Sequence, residues 1–134
     1  MIKRSPSWIN INRLLFKIIK RILRYPIIIR FIGWTFAHMS FLIPVARLRE
    51  TSSLLAFHHP SPSYGFHVLI VPKREIASLA HLHPADADFL TDLYSTVQSL
   101  VDEFHLQAYR LIVNGGKYQD FPHLHFHLIS DVTG

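Results

Sequence analysis

The segment His123-Leu124-His125-Phe126-His127-Leu128-Ile129 decides the fold assignment, because histidine and apolar residues alternate along it. Successive side chains of a strand point to opposite faces, so the alternation predicts three imidazoles on one face and three apolar side chains in a core. Imidazole ionises near neutral pH and can act as a nucleophile, a phosphate-binding cation or a proton donor. The spacing alone leaves three interpretations open: an exposed edge strand, a metal site for an ion such as zinc, and a catalytic site.

Apolar runs elsewhere predict an antiparallel α+β domain with one long packed helix. Short strands are expected at Leu54–Phe57, Phe66–Val71 and Tyr109–Val113. The helix is expected to begin near Pro84 and to pack on the sheet through an apolar stripe. That stripe consists of Leu90, Leu93, Val97, Leu100, Val101 and Phe104. The order strand, strand, helix, strand, strand assigns residues 32–134 to the domain and residues 1–31 to a preceding extension.

The composition of the 134-residue chain excludes several classes of site and location. The absence of cysteine rules out disulfides, thiolate metal sites and a cysteine nucleophile, and it leaves the redox compartment open. No apolar run reaches the ~20 residues that a membrane-spanning helix needs. Lysine and arginine interrupt the apolar stretch that a secretory signal would require. We therefore expect a cytoplasmic protein.

Basic residues are concentrated near the start of the chain, where residues 1–49 contain 10 of the 14 Lys and Arg and no acid. Five of them form one stripe of a basic amphipathic N-terminal helix: Arg13, Lys17, Lys20, Arg21 and Arg24. Pro26 is expected to end this helix. Three roles stay open: a solvated extension that packs on the domain, attachment to an anionic membrane, and nucleic-acid binding. We expect peripheral attachment at the inner face of the membrane, and nucleic acid is the least favoured partner.

The histidine segment and the residues upstream of it resemble the histidine triad (HIT) superfamily of nucleotide-binding proteins, in its phosphoramidase-like branch. The resemblance runs from about Gly33 to Ile129 and rests on short motifs in the family's order. These are Ile43-Pro44, Glu50, Leu55-Ala56-Phe57-His58, Ser61-Pro62, and His67 followed by Leu69-Ile70-Val71-Pro72-Lys73. The resemblance implies a homodimer with a shared antiparallel sheet and a nucleotide site in each protomer. It also implies hydrolysis at the α-phosphorus of nucleoside phosphoramidates or related derivatives.

The resemblance assigns catalytic roles to four histidines and implies no cofactor. His125 corresponds to the nucleophile that attacks the α-phosphorus and forms a nucleotidyl-histidine intermediate, which water then hydrolyses. His127 corresponds to the contact with a phosphate oxygen, where an imidazolium would stabilise the developing charge. His123 and His67 correspond to the histidines that support the nucleophile and its phosphate pocket.

Further substrate contacts are implied at Asn114, Gln119 and Trp34. Asn114 corresponds to an asparagine near the sugar and phosphate, although it also fits a turn before two glycines. Gln119 corresponds to a residue in the loop under the phosphate, and simple loop solvation explains it equally. Trp34 lies on the first family helix, where it would stack on a base or pack in the core. Gly33 and Phe36 stand where many bacterial members have zinc-binding cysteines, so we expect no bound metal.

The pair His58-His59 and Asp120 are also assigned to the substrate site, but two of these residues depart from the family pattern. His59 stands where the family usually has an aspartate that binds the ribose hydroxyls, and imidazole cannot make that bidentate contact. Asp120 stands in place of a serine, and its carboxylate would repel an anionic substrate or act as a proton donor. These departures favour one alternative, a nucleotide-binding module without turnover. Dinucleoside polyphosphate hydrolysis is the other alternative.

Overall fold

The computed structural model describes residues 7–22 and 46–131. Its helices and strands are α1 (Ser7–Ile22), β1 (Arg47–Glu50), β2 (Leu54–His58), β3 (Phe66–Pro72), α2 (Ala87–Glu103), β4 (Arg110–Val113) and β5 (Phe126–Ser130). The five strands form one antiparallel sheet in the order β1-β2-β3-β5-β4. The predicted α+β class, an antiparallel sheet with one long packed helix and an N-terminal helix, is confirmed.

Several sequence predictions concern residues outside the described ranges. They are the cation Arg24, the helix end at Pro26, the possible base contact Trp34, the positions Gly33 and Phe36, and the domain boundary between residues 31 and 32. Of the two described helices, neither is long and apolar enough to cross a bilayer.

The core lies between α2 and one face of the sheet. Alternate residues of the central strands enter it, namely Leu54, Ala56, Phe66, Val68, Ile70, Phe126 and Leu128. The helix contributes Phe89, Leu93, Val97 and Leu100. Because side chains alternate along a strand, the intervening residues of β3 and β5 face away from α2. This second face carries the histidines.

The apolar stripe of α2 differs from the prediction at its first member. Leu90 is 36% exposed, and Phe89, which the predicted stripe omits, is only 2% exposed. At ~100° per residue, Phe89 lies about 40° from Leu93 around the helix axis. Leu90 lies about 60° from Leu93 in the opposite direction. Both positions therefore fit the periodicity, and the roll of the helix on the sheet decides which one is buried.

Strand β1 is absent from the sequence prediction. Three of its four residues are charged, which is unusual for a strand interior. The strand lies at the edge of the sheet, antiparallel to β2, with Glu50 opposite Leu55. Charged residues are typical of edge strands, because they discourage pairing with another chain.

The last strand begins later than the alternation predicts. Pairing in β5 starts at Phe126 and not at His123, because the preceding backbone forms other bonds. The Leu124 N–H donates to the Ile76 carbonyl at 2.8 Å, and the His125 ring donates to the His123 carbonyl at 2.7 Å. The three triad histidines therefore do not form one regular row.

Candidate active site

Three histidines lie together on the sheet face opposite α2. The register of β2 and β3 ends with His58 opposite Val68, and the next amide, that of His59, donates to the His67 carbonyl at 2.8 Å. His59 therefore lies across from His67, and their rings stack with centroids 4.3 Å apart. The His127 ring lies 5.2 Å from that of His67 and 6.1 Å from that of His59. We call His59, His67 and His127 the histidine stack.

One chain of hydrogen bonds fixes which nitrogens of His67 and His127 carry hydrogen. The Ser63 backbone N–H donates to Nδ1 of His67 at 3.2 Å, so that nitrogen has no hydrogen. Nε2 of His67 therefore donates to Nδ1 of His127, 2.9 Å away. Neutral His127 is left with its hydrogen on Nε2. His127 thus presents an N–H donor on the side of its ring away from His67.

His125 has the opposite arrangement. Its Nδ1 lies 2.7 Å from the His123 carbonyl oxygen, which can only accept, so Nδ1 is the nitrogen that donates. Nε2 of the neutral ring consequently carries a lone pair. The ring is half-buried and its centroid lies 5.0 Å from that of His127. A nucleophilic nitrogen and an N–H donor are therefore neighbours, which is the pair that attack at phosphorus requires.

His123 supports this arrangement from within the protein. Its side chain is 2% exposed, and its Nε2 donates to the Pro72 carbonyl oxygen at 3.0 Å. That bond ties the segment before β5 to the end of β3. Because the His123 carbonyl also accepts from His125, His123 acts as a positioning residue and does not reach the open face.

Burial keeps the histidine stack neutral. Burial, with a smaller effect of the nearby charge of His59, lowers the pKa of His67 to about 4. Burial is also the largest cause for His127, whose pKa is lowered to about 4 despite the opposing charge of Asp120. Burial lowers the pKa of His59 as well, followed by the charge of His125. His127 is therefore a neutral donor at pH 7, and not the imidazolium that the family resemblance led us to expect.

These pKa shifts predict a loss of stability in mild acid. Between the ordinary histidine pKa of about 6.5 and the folded-state value of about 4, the unfolded chain binds protons that folded His67 and His127 do not. The free energy of unfolding should therefore be intact above pH 6.5 and should decrease as the pH falls towards 4. NMR titration of the ring protons measures the two pKa values directly. Titration of both rings near pH 6.5 would contradict this prediction.

Two of the implied substrate residues lie in the segments next to His125 and His127. Asn114 directly follows β4, one residue beyond the last β4–β5 pair, Val113 opposite Phe126. It is half-buried. Asp120 is exposed, and its charge acts on His127 by raising that residue's pKa.

Gln119 has a structural function in the loop before β5. Its side-chain amide donates both hydrogens to backbone carbonyls, at 2.7 Å to Ala77 and at 2.8 Å to Phe121. Both donors are therefore occupied within the protein, which favours the loop interpretation over a direct phosphate contact.

His58 is not part of the cluster. It lies on the α2 face of the sheet, where its ring packs edge-on against Phe66 and Phe104 at centroid distances of 6.1 and 6.2 Å. Its neighbour His59 points to the opposite face. The two histidines are adjacent in the sequence, but only His59 reaches the candidate site.

Two aromatic residues that the sequence analysis did not select border the site. The Tyr64 ring lies edge-on to His67 at 5.5 Å, and the Phe121 ring lies edge-on to His125 at 6.2 Å. Tyr64 is 36% exposed and Phe121 is half-buried. Both lie in loops without periodicity, so only their nearness in sequence to His67 and His123 could have indicated them.

The histidine stack contains enough ring nitrogens for a metal ion, because one nitrogen from each ring lies within 4.8 Å of the others. The His67–His127 hydrogen bond joins two of the ring nitrogens, so an ion bound there would have to replace that bond. The expectation that the protein binds no metal stays a prediction.

Comparison with known proteins places these features in a family. The HIT domain family matches residues 41–133. Adenosine 5'-monophosphoramidase HNT1 of Saccharomyces cerevisiae is 37% identical over 89 residues, which cover 65% of this chain and 54% of that protein. The protein of the same name from Candida albicans is 33% identical over 105 residues, covering 69% of this chain and 67% of that protein.

A solved structure shows the same fold. The HIT family hydrolase from Clostridium thermocellum superimposes with a TM-score of 0.65 and 28% identity, over 72% of this chain and 88% of that one. The family match covers more than half of the chain and includes the sheet, α2 and the histidine site. The chain therefore belongs to the HIT domain family.

Proposed function

We propose that the protein is a nucleotide hydrolase that cleaves a bond at the α-phosphorus of nucleoside phosphoramidates or related nucleotide derivatives. The single observation that carries the proposal is the protonation pattern of the neighbouring His125 and His127. The His125 lone pair on Nε2 follows from its bond to the His123 carbonyl, and the His127 donor follows from its bond with His67. The likeness to fungal proteins named as adenosine 5'-monophosphoramidases supports the substrate class.

The proposed reaction has two displacements at phosphorus. His125 Nε2 forms a bond to the α-phosphorus while the bond from phosphorus to the leaving nitrogen breaks, and the leaving amine takes up a proton. His127 donates to a phosphate oxygen on which negative charge accumulates. The His123 carbonyl stabilises the cationic ring of the intermediate through the retained Nδ1–H. Water then attacks phosphorus while the bond between phosphorus and His125 Nε2 breaks, which releases a nucleoside monophosphate and restores neutral His125. The proton that this water loses to solvent balances the one that the leaving amine takes from solvent.

A substrate panel distinguishes this proposal from its two alternatives. With adenosine 5'-phosphoramidate we expect continuous release of AMP over many turnovers, at a higher kcat/KM than with diadenosine polyphosphates. Preference for the polyphosphates would favour the dinucleoside polyphosphate hydrolase. Saturable AMP binding without turnover of any substrate would favour the non-catalytic module, which His59 and Asp120 suggest.

We also propose that the protein forms the homodimer implied by its sequence. Among the described strands, β4 lies at an edge and pairs only with β5. An open edge can accept the same strand of a second copy around a two-fold axis. Sedimentation equilibrium should give twice the mass of the chain, and a monomer mass at micromolar concentration would exclude such a dimer.

A third proposal concerns α1, which we expect to bind anionic membrane surfaces. Its described side chains are all exposed, both the cations Arg13, Lys17 and Arg21 and the apolar residues. Leu14 is 60% exposed and Ile19 is 49% exposed. A helix of this kind lies at the headgroup boundary, with apolar side chains inserted and cations against lipid phosphates.

Vesicle co-sedimentation tests the membrane proposal. Each cation near an anionic surface contributes about 1 kcal/mol, so Lys17→Glu should weaken binding to phosphatidylserine-containing vesicles by at least about fivefold. Lys117→Glu makes the same charge change outside α1 and should leave binding intact. Equal binding of both variants, or equal binding to purely zwitterionic vesicles, would rule the proposal out.

A further inference from the structure

We infer that His59 binds a second phosphate group of the substrate, beside the phosphate that reacts at His125. The inference rests on the proposed function, which identifies the reacting group as the α-phosphate of a nucleotide. It adds that the substrate carries a second phosphate elsewhere on the same nucleotide. The second phosphate is carried either on the ribose or further along the phosphate chain.

His59 presents a fixed N–H donor to the site. The Ser61 N–H donates to Nδ1 of His59 at 3.0 Å, so the neutral ring carries its hydrogen on Nε2. The stacking contact with His67, at an inclination of 25°, sets the plane of the ring. These two contacts determine the direction of the donor before any ligand binds, which lowers the cost of ordering it.

The ring N–H groups of the other two histidines in the stack already have acceptors in the proposed complex. The Nε2–H of His67 is donated to His127, and the Nε2–H of His127 serves the reacting phosphate. The centroids of the His59 and His127 rings lie 6.1 Å apart. The His59 donor is therefore left for another acceptor, close enough for two phosphates of one nucleotide to reach His127 and His59 together.

The electrostatics of the stack favour an anionic acceptor at this position over a hydroxyl. Among residues 46–131, no carboxylate forms a hydrogen bond or ion pair with the three rings. Asp120 acts electrostatically on His127, and no carboxylate of the described residues acts on His59 or His67. Two protonated imidazoles in the stack would repel each other, and a phosphate between them offsets that repulsion and favours the charged form of the rings. A neutral hydroxyl does not.

Calorimetric binding of unreactive nucleotides tests the inference independently of turnover. The ligands are AMP, adenosine 3',5'-bisphosphate, adenosine 2',5'-bisphosphate and adenosine 5'-diphosphate. At least one of the last three should bind about tenfold more tightly than AMP, since a hydrogen bond from a fixed donor to a charged phosphate adds affinity of that order. The two bisphosphates and the diphosphate distinguish a ribose phosphate from one in the phosphate chain.

Substitutions then localise the effect to His59. His59→Asp should abolish the preference for the second phosphate, and His59→Leu, which removes the donor without adding charge, should abolish it too. His58→Asp makes the same charge change one residue away on the opposite face, and it should retain the preference. A wild-type protein that binds no ligand more tightly than AMP, or a preference that survives both His59 substitutions, overturns the inference. The proposed function is tested by a different measurement, the release of AMP from a phosphoramidate. Its failure can therefore be told apart from failure of this inference, which is tested by binding alone.

Discussion

Replacement of His125 by asparagine should lower kcat by at least about 10³-fold while nucleotide binding survives, because the variant lacks the nitrogen that attacks phosphorus in the proposed mechanism. Asparagine is small and polar, so it fits the half-buried position without introducing an unpaired charge. Its amide can still donate to the His123 carbonyl, which currently accepts from the ring at 2.7 Å. The loss should therefore appear in turnover and not in the affinity for AMP.

A matched control is available at His105. This residue is exposed and has a φ of 52°, a conformation that asparagine tolerates well. His105→Asn makes the same chemical change far from the histidine stack and should leave kcat and KM unchanged. If His125→Asn turns over near the wild-type rate, His125 is not the nucleophile.

Replacement of His127 by alanine should reduce both phosphate affinity and turnover, with kcat falling by about 10²-fold to 10³-fold. In the proposed mechanism this residue donates to a phosphate oxygen in the bound state and more strongly in the transition state, so KM should rise while kcat falls. Alanine also leaves the Nε2–H of His67 without its acceptor, 2.9 Å away in the native protein.

The glutamine variant of His127 distinguishes a neutral donor from a cation. Because the pKa of His127 is lowered to about 4, the residue meets its substrate as a neutral N–H donor. Glutamine keeps a neutral N–H and should recover part of the activity that alanine loses. Equal losses in His127→Gln and His127→Ala would instead mean that catalysis needs a protonated imidazole.

The sequence pattern correctly predicted the positions of most strands and the face of the sheet to which their side chains point. Apolar runs correctly located β2, β3 and β4 to within one residue of their ends, since buried strands require such runs. The same alternation places His127 on the face opposite Phe126. It also separates His59 from His58, which the sequence analysis had assigned together. The period of two along β2 was sufficient to divide them.

Long-range bonds explain what the sequence did not predict. The start of β5 depends on the Ile76 carbonyl and on the His125 side chain, neither of which belongs to the strand pattern. The charged strand β1 has no apolar signal and is recognised only by its pairing with β2. Likewise, the neutral state of His127 follows from burial and from the neighbouring rings of His125, His67 and His59. Such effects require the folded neighbours to be known.

Mass spectrometry of protein quenched during turnover tests the central claim most directly. A phosphoramidate substrate should leave a nucleotidyl group on the peptide that carries His125, at a stoichiometry that rises and falls with turnover. His125→Asn should show no adduct, and His105→Asn should show the same adduct as the wild type. An adduct on any other residue, or sustained AMP release with no adduct at all, would contradict the account.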